Sequence, residues 1–468
     1  MLNKRLFACI MIVLMLCFAQ IRGSTVLILG CLACYLCLLG WLCMQNFTLP
    51  ILLFFLPWSP LMRTNPAGFS FFTFGIVLVC FVSVIKKKFV FRRYHIVSGI
   101  VLAFFTLLSK LLSGHGLEFS YIAFLMLIVL FPVVKEESSS GQYDFYQIVV
   151  FLSVGIISAA LCAQWFSSYG NISKYIVVHS YLTIIRRMGF YGDPNFYTAQ
   201  ITAALGGGFY ATLKENSKRR ITALSILLML LVYCGFLSGS KSFVFITFLI
   251  MVIWAVEMMR MRGNTGRKIV LTIVSLLAVV YIASSAIFGV LIDVLVTRFS
   301  FVDNLSSLTT HRTELWAMYF KDIFGSVKTF FLGEGFTNVK VNERGSHNTV
   351  LQMLYQLGIL GTPVLVLWII CFFKEVSRKS RHTRKRMVST WILLIGVFMP
   401  WLAIDMLFFD EFFLFQWYAL VALRERNQYL NTKDSENPQQ RALDGVPLPG
   451  ATERISSIQR ERMNYGYE

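Results

Sequence analysis

Long uninterrupted apolar runs alternate with short basic clusters along almost the whole chain. Runs at 25–44, 69–85, 94–112, 145–165, 220–237, 268–290 and 388–404 are long enough, or nearly so, to cross a hydrocarbon core about 30 Å thick. A further run from Leu6 to Ile21 follows Lys4 and Arg5 and ends in Gln-Ile-Arg-Gly. It lacks a small-residue cleavage site and reads as a retained first helix. A proline-broken segment at 47–62 and a hairpin around Asp405–Glu411 extend the pattern to about twelve to fourteen transmembrane helices. The expected fold class is therefore an all-α, polytopic integral membrane protein.

Composition agrees, because 56% of the 468 residues are hydrophobic and only 14% are charged, where a soluble domain carries about 25%. A soluble enzyme and a disordered chain are excluded. The formal charge of +19 could suggest a nucleic-acid partner, but its placement suits membrane topology instead. Lys86–Arg93, Lys214–Arg220, Arg260–Lys268 and Lys374–Arg386 fall on one side when the spans alternate. That side collects roughly twice as many basic residues as the other, which predicts a cytoplasmic location for it and for both termini. All ten cysteines lie in apolar runs and read as small hydrophobes. Cys31, Cys34 and Cys37 have metal-like spacing but no neighbouring histidine, so core packing is preferred there.

Three regions follow. Residues 1–165 are N-terminal transmembrane helices. Residues 166–423 carry further helices and two external loops, 166–195 and 291–346, expected to form the catalytic region. Residues 424–468 are polar, rich in Asn, Gln and charge, and predict a disordered cytoplasmic tail.

Polar chemistry gathers on the external side. Arg186 and Arg187 precede Gly189-Phe-Tyr-Gly-Asp-Pro-Asn195; Ser238-Gly-Ser-Lys241 joins two spans; Arg312 and His347-Asn348 close the set. Thr310–Phe324 sets Leu315, Trp316, Tyr319, Phe320, Ile323 and Phe324 on one helical face, which predicts an amphipathic helix on the outer surface with Thr309 or Thr310 as its cap. Taken singly, each feature has a plain structural reading. Arginines and Lys241 can snorkel to the interface, Asp193-Pro-Asn195 can start a helix, and His347 can hydrogen-bond a helix end. Together they describe a site for an anionic substrate held at the membrane surface.

In order and spacing, Arg312-x-x-x-Trp316, Leu332-Gly-Glu-Gly335, His347-Asn-x-x-Leu351 and Leu357-Gly-Ile-Leu-Gly361 resemble the O-antigen ligase and O-antigen polymerase (Wzy-type) superfamily of bacterial envelope glycosyltransferases. The resemblance runs from about Arg186 to Gly361. It departs from the family pattern at Ser240-Lys241, where Ser-Arg is common, so a point charge stands where a bidentate fork would. It implies a metal-independent, inverting sugar transfer on the outer side of the cytoplasmic membrane, with an undecaprenyl-diphosphate-linked glycan as donor and no cofactor.

The residues themselves suit that chemistry. A donor outside the cytoplasm must carry its own leaving group, and charge develops on the departing diphosphate. Guanidinium groups at Arg186 or Arg187 and at Arg312, with Lys241 as an accessory cation, would stabilise it. His347 is the candidate general base or acceptor-orienting residue. Asn348, Glu334 and Asn195 are candidates for orienting the substrate or binding its sugars. No acid or histidine set has the spacing of a metal site. The leading expectation is a polymerase of lipid-linked repeat units for O-antigen, capsule or exopolysaccharide, partnered by the flippase and chain-length regulator of its pathway. A ligase passing the glycan to lipid A core or another acceptor is the alternative. A flippase is disfavoured, because it needs a cationic cavity among the helices and the midspans are nearly uncharged.

Overall fold

The computed structural model describes residues 2–66, 68–86, 93–113, 119–134, 143–176, 179–181, 184–260, 296, 300, 311–336, 341, 344–378 and 387–435. In chain order the described helices are α1 (Leu2–Arg22), α2 (Thr25–Met44), α3 (Thr48–Phe55), α4 (Phe71–Lys86), α5 (Arg93–Ser113), α6 (Phe119–Leu130), α7 (Phe145–Trp165), α8 (Pro194–Lys214), α9 (Lys218–Leu237), α10 (Lys241–Arg260), α11 (Arg312–Gly325), α12 (Val327–Leu332), α13 (Thr349–Arg378), α14 (Met387–Phe398) and α15 (Asp410–Ser435). A hairpin of three-residue strands, β1 (His179–Tyr181) and β2 (Ile184–Arg186), interrupts them. Among the described residues seven helices are long and apolar enough to cross a membrane, and four shorter apolar helices accompany them. The protein is a multi-pass membrane protein with an all-helical body.

Most expected runs are helical at nearly the predicted bounds, while 268–290 lies outside the described residues. The segment expected to be broken by proline is α3 followed by a 3-10 turn at Leu56–Leu61, with Pro57 at its start and Pro60 inside it. The final helix continues to Ser435, past Arg424, where the tail was expected to begin. Extending an existing helix requires no new nucleus, and Arg424-Glu-Arg-Asn-Gln is compatible with it. Residues 436–468 lie outside the description.

Helix α8 is the hub. Its residues Tyr197–Leu213 are all buried, under α7, α9, α10 and α14. Small residues allow this: a Cβ on Gly396 would sit 2.4 Å from the Thr202 carbonyl oxygen and 3.0 Å from the Gly206 Cα. Backbones in contact are a common solution where lipid gives helices no hydrophobic reason to associate.

The bundle has two chemically distinct ends. At one, Lys86 Nζ donates to the Cys43 carbonyl (2.8 Å), Arg5 to Gln45 Oε1 (2.8 Å), and Arg220 pairs with Asp144 (2.7 Å) and Glu215 (3.1 Å). At the other, Gln20 Nε2 ties α1 to the Leu61 and Arg63 carbonyls (2.9 Å each), and Thr73 donates to Asp410 (2.8 Å). The second end carries the candidate site.

Candidate active site

Two weak sequence motifs form one unit. Arg186, on β2, donates through Nε to the Ser238 carbonyl (2.7 Å) and through Nη2 to that of Gly239 (3.4 Å), while the Arg187 amide donates to Leu237 (3.0 Å). Gly189 turns the chain at φ +60°. Asp193 then caps α8 through the Asn195 amide (2.6 Å). Asn195 Oδ1 in turn accepts from Ser240 Oγ (3.0 Å). The Arg186–Asn195 stretch and the Ser238–Lys241 turn are thus held together by side chains that each motif supplies. Lys241 begins α10 half-buried, and Arg187 is exposed.

The second pair of motifs also meets. Helix α13 breaks at Gly358, whose φ is +62°. The carbonyls stranded by that break, Tyr355 and Gln356, accept from the Glu334 (2.8 Å) and Gly335 (2.9 Å) amides. Contact is so close that a Cβ on Gly358 would lie 2.4 Å from the Phe331 oxygen and 2.6 Å from the Gly333 nitrogen. Glycines on both sides are therefore a packing requirement. Breaks at membrane depth need such internal satisfaction of the freed backbone groups. The Glu334 carboxylate is committed within this turn, to Thr329 Oγ1 (2.6 Å) and Lys328 Nζ (2.8 Å).

The start of α13 is clamped by the loop after α14. Asp405 Oδ1 accepts from the Ser346 hydroxyl and from the Asn348 amide (3.1 Å). Thr349 Oγ1 donates to the Ile404 carbonyl (2.7 Å). Asn348 is the helix cap: its Oδ1 accepts from the Val350 (3.0 Å) and Leu351 (3.1 Å) amides. That commits the Asn348 side-chain oxygen to the helix end. It also removes the plain reading of His347, since the capping role belongs to its neighbour. His347 itself has φ +48°, a conformation that costs a non-glycine residue about 1–3 kcal/mol and persists where surroundings impose it. Its imidazole makes no hydrogen bond to a described residue.

Arg312 begins α11. Thr309 and Thr310, the expected caps, lie outside the described residues, and His311 occupies the cap position at φ +60° with no side-chain cap bond. The helix is pinned to the His347 loop: Trp316 Nε1 donates to the Ser346 carbonyl (2.9 Å) and Tyr319 Oη to that of Arg344 (2.8 Å). Leu315, Tyr319 and Ile323 face inward, whereas Phe320 and Phe324 are 44% and 66% exposed. The expected single apolar face is thus split into one toward α13 and one away from the protein. Burial lowers the Arg312 pKa, opposed by the fields of Asp193 and Asp405. Arg312 therefore sits electrostatically between the Asp193–Asn195 unit and the His347 clamp. Among the described residues its guanidinium makes no hydrogen bond or ion pair, and its fork of five donors suits an anion.

Between these elements lies a cavity of about 1100 Å³. His347 lines it with Ser346, Asp405, Asp410, Glu411, Arg63 and Lys174, among aromatic rings. Arg186, Arg187, Lys241, Arg312, Asn195, Asn348 and Glu334 are outside its wall. The structure thus joins the expected motifs in two separate pairs and puts, of the expected residues, only His347 on the cavity itself. Sequence reasoning passed over the three acids and Arg63. One signal was present: Asp405, Asp410 and Glu411 interrupt an apolar hairpin, and ionisable residues at membrane depth are functional by default.

No family model, no curated protein and no solved structure matches the chain.

Proposed function

We propose that the protein polymerises undecaprenyl-diphosphate-linked oligosaccharide repeat units on the outer side of a bacterial cytoplasmic membrane. The observation that carries this reading is His347: a residue at positive φ, in a loop clamped by Asp405, unbonded among the described residues, and lining a large cavity, while the helix that begins with the half-buried Arg312 is pinned to the same loop. Arg312 stabilises the departing diphosphate. His347 takes or orients the acceptor hydroxyl. Arg186 braces the loop between them through the Ser238 turn, and Lys241 adds positive potential.

In this reading the end carrying Arg5, Lys86 and Arg220 is cytoplasmic, as the bias of basic residues toward that side requires. Both termini lie there. With the apolar run 268–290 counted, the chain crosses about fourteen times, and α11–α12 belong to the outer surface. The lipid-linked glycan, the bilayer, a flippase and a chain-length regulator are its partners, and sugar transfer is metal-independent and inverting.

The reading is tested with purified protein and lipid-diphosphate oligosaccharide. A ladder of lengthened lipid-linked products supports the polymerase. Transfer only to added lipid A core indicates the ligase, and unchanged substrate refutes glycosyl transfer.

A further inference from the structure

Glu411 occupies the first turn of α15 and lines the cavity while only 2% exposed. Both of its side-chain donors, Tyr191 Oη and Gln200 Nε2 (2.9 Å each), converge on Oε1. No described side chain donates to Oε2. Its neighbour Asp410 is similarly placed: Oδ2 accepts from Thr73 Oγ1 (2.8 Å), and no described side chain donates to Oδ1. Two carboxylates at one cavity wall therefore each carry an oxygen to which no described side chain donates.

Around them are rings. Phe190, Tyr191, Phe196, Phe408 and Phe409 line the same space, with Phe196 and Phe409 tilted at 47° and 4.3 Å between centroids. The Tyr191 hydroxyl, with one proton to give, lies within 3.1 Å of the Glu411 carboxylate, the Leu56 carbonyl and Ser59 Oγ, which holds its ring in place. A ligand that fits must present several hydroxyl donors and flat C–H faces. At the start of α15 such hydroxyl donors suit the two acids, whereas a polyprenyl tail would strand them unpaired; Arg63, Lys174 and His347 balance the acids elsewhere on the wall. A sugar presents both features. The volume slightly exceeds the roughly 300–1,000 Å³ usual for small-ligand pockets, which accommodates more than one ring.

The geometry points to this cavity as a saccharide-binding site, with Glu411 and Asp410 accepting from sugar hydroxyls and the surrounding rings packing on sugar faces. Resting on the proposed function, the bound sugar is the acceptor end of the glycan, presented to His347 on the same wall. Sugar binding is thereby moved from Glu334, committed to Lys328, to the start of α15.

The test uses the full chain in detergent and, as probe, the water-soluble repeat-unit oligosaccharide released by mild acid from lipid-linked glycan of the producing cells. Saturation-transfer NMR gives binding to wild type, and titration gives its affinity. Glu411→Gln and Asp410→Asn are each expected to weaken binding at least tenfold while the melting temperature of Asp410→Asn stays near wild type. Unchanged affinity in a well-folded Asp410→Asn, or no saturation transfer to wild type, overturns the site. A magnesium-induced rise in wild-type melting temperature that Asp410→Asn abolishes overturns it in favour of a cation. The two readings fail separately: wild type that polymerises while binding is insensitive to both variants loses the saccharide site and keeps the polymerase. Wild type that binds through Glu411 and Asp410 yet lengthens nothing keeps the site and loses the polymerase.

Discussion

Replacing Asp405 by alanine removes the clamp on the His347 loop without touching the cavity's rings or cations. Two hydrogen bonds to a carboxylate disappear, from the Ser346 hydroxyl and the Asn348 amide. Bonds to charged groups contribute about 1.5–3 kcal/mol each. The loss is smaller here because Asp405 is half-buried and the partners keep each other, with Ser346 retaining the Asn348 carbonyl at 2.9 Å and the Asn348 amide retaining Ser346 Oγ at 3.3 Å. A net cost of about 2–3 kcal/mol remains, by that scale. It falls on a loop already holding His347 at φ +48°, so relaxation of that residue is the first response. At about 1.4 kcal/mol per tenfold, the competent conformer falls roughly 30- to 100-fold. Asp405→Asn keeps an acceptor oxygen and loses only the charge, so its loss should be about threefold to tenfold, on the same conversion. The assay is the rate of polymer lengthening, with protein normalised to membrane abundance. Global melting should shift little in either variant. Wild-type lengthening by Asp405→Ala at equal abundance would refute the clamp.

Three further outcomes are expected. Arg312→Ala should lower polymer formation about a hundredfold, as loss of one donor to a developing oxyanion does, and Arg312→Lys should recover only part of it in the same chain-length assay because the fork is lost. Gly358→Ala places a Cβ 2.4 Å from a backbone oxygen at φ +62°, which costs at least about 2 kcal/mol; detergent-solubilised protein should melt several degrees lower, whereas Gly30→Ala, with nothing within 4 Å, should not. In a cysteine-depleted background, Glu314→Cys should react with an impermeant maleimide from outside intact spheroplasts and Lys218→Cys should not; the reverse pattern would overturn the orientation.

The helical, multi-pass fold was legible because long apolar runs report directly on helices that have lipid or one another to bury against. The Arg186–Asn195 and Ser238–Lys241 motifs were recognisable separately, but their union depends on which side chains bond across them, Asn195 to Ser240 and Arg186 to Ser238. That information is absent from one-dimensional spacing. Similarly, Leu-Gly-Glu-Gly and Leu-Gly-Ile-Leu-Gly look like two flexible turns, and only their contact explains why both need glycine. His347 was found because histidine at a helix start is chemically conspicuous. Asp410 and Glu411 are hidden because, within an apolar hairpin, they read as part of one more span rather than as acids at lipid depth. The split faces of α11 were hidden too, since periodicity shows that residues share a side without showing what covers it.

The central claim is that an imidazole on this cavity takes part in glycosyl transfer. The most direct measurement is lengthening of a defined lipid-diphosphate oligosaccharide by purified wild type and His347→Ala, with donor binding followed in parallel. Wild type should give a product ladder, and His347→Ala no ladder despite retained donor binding, because Arg312 is untouched. A ladder from His347→Ala at the wild-type rate would contradict it.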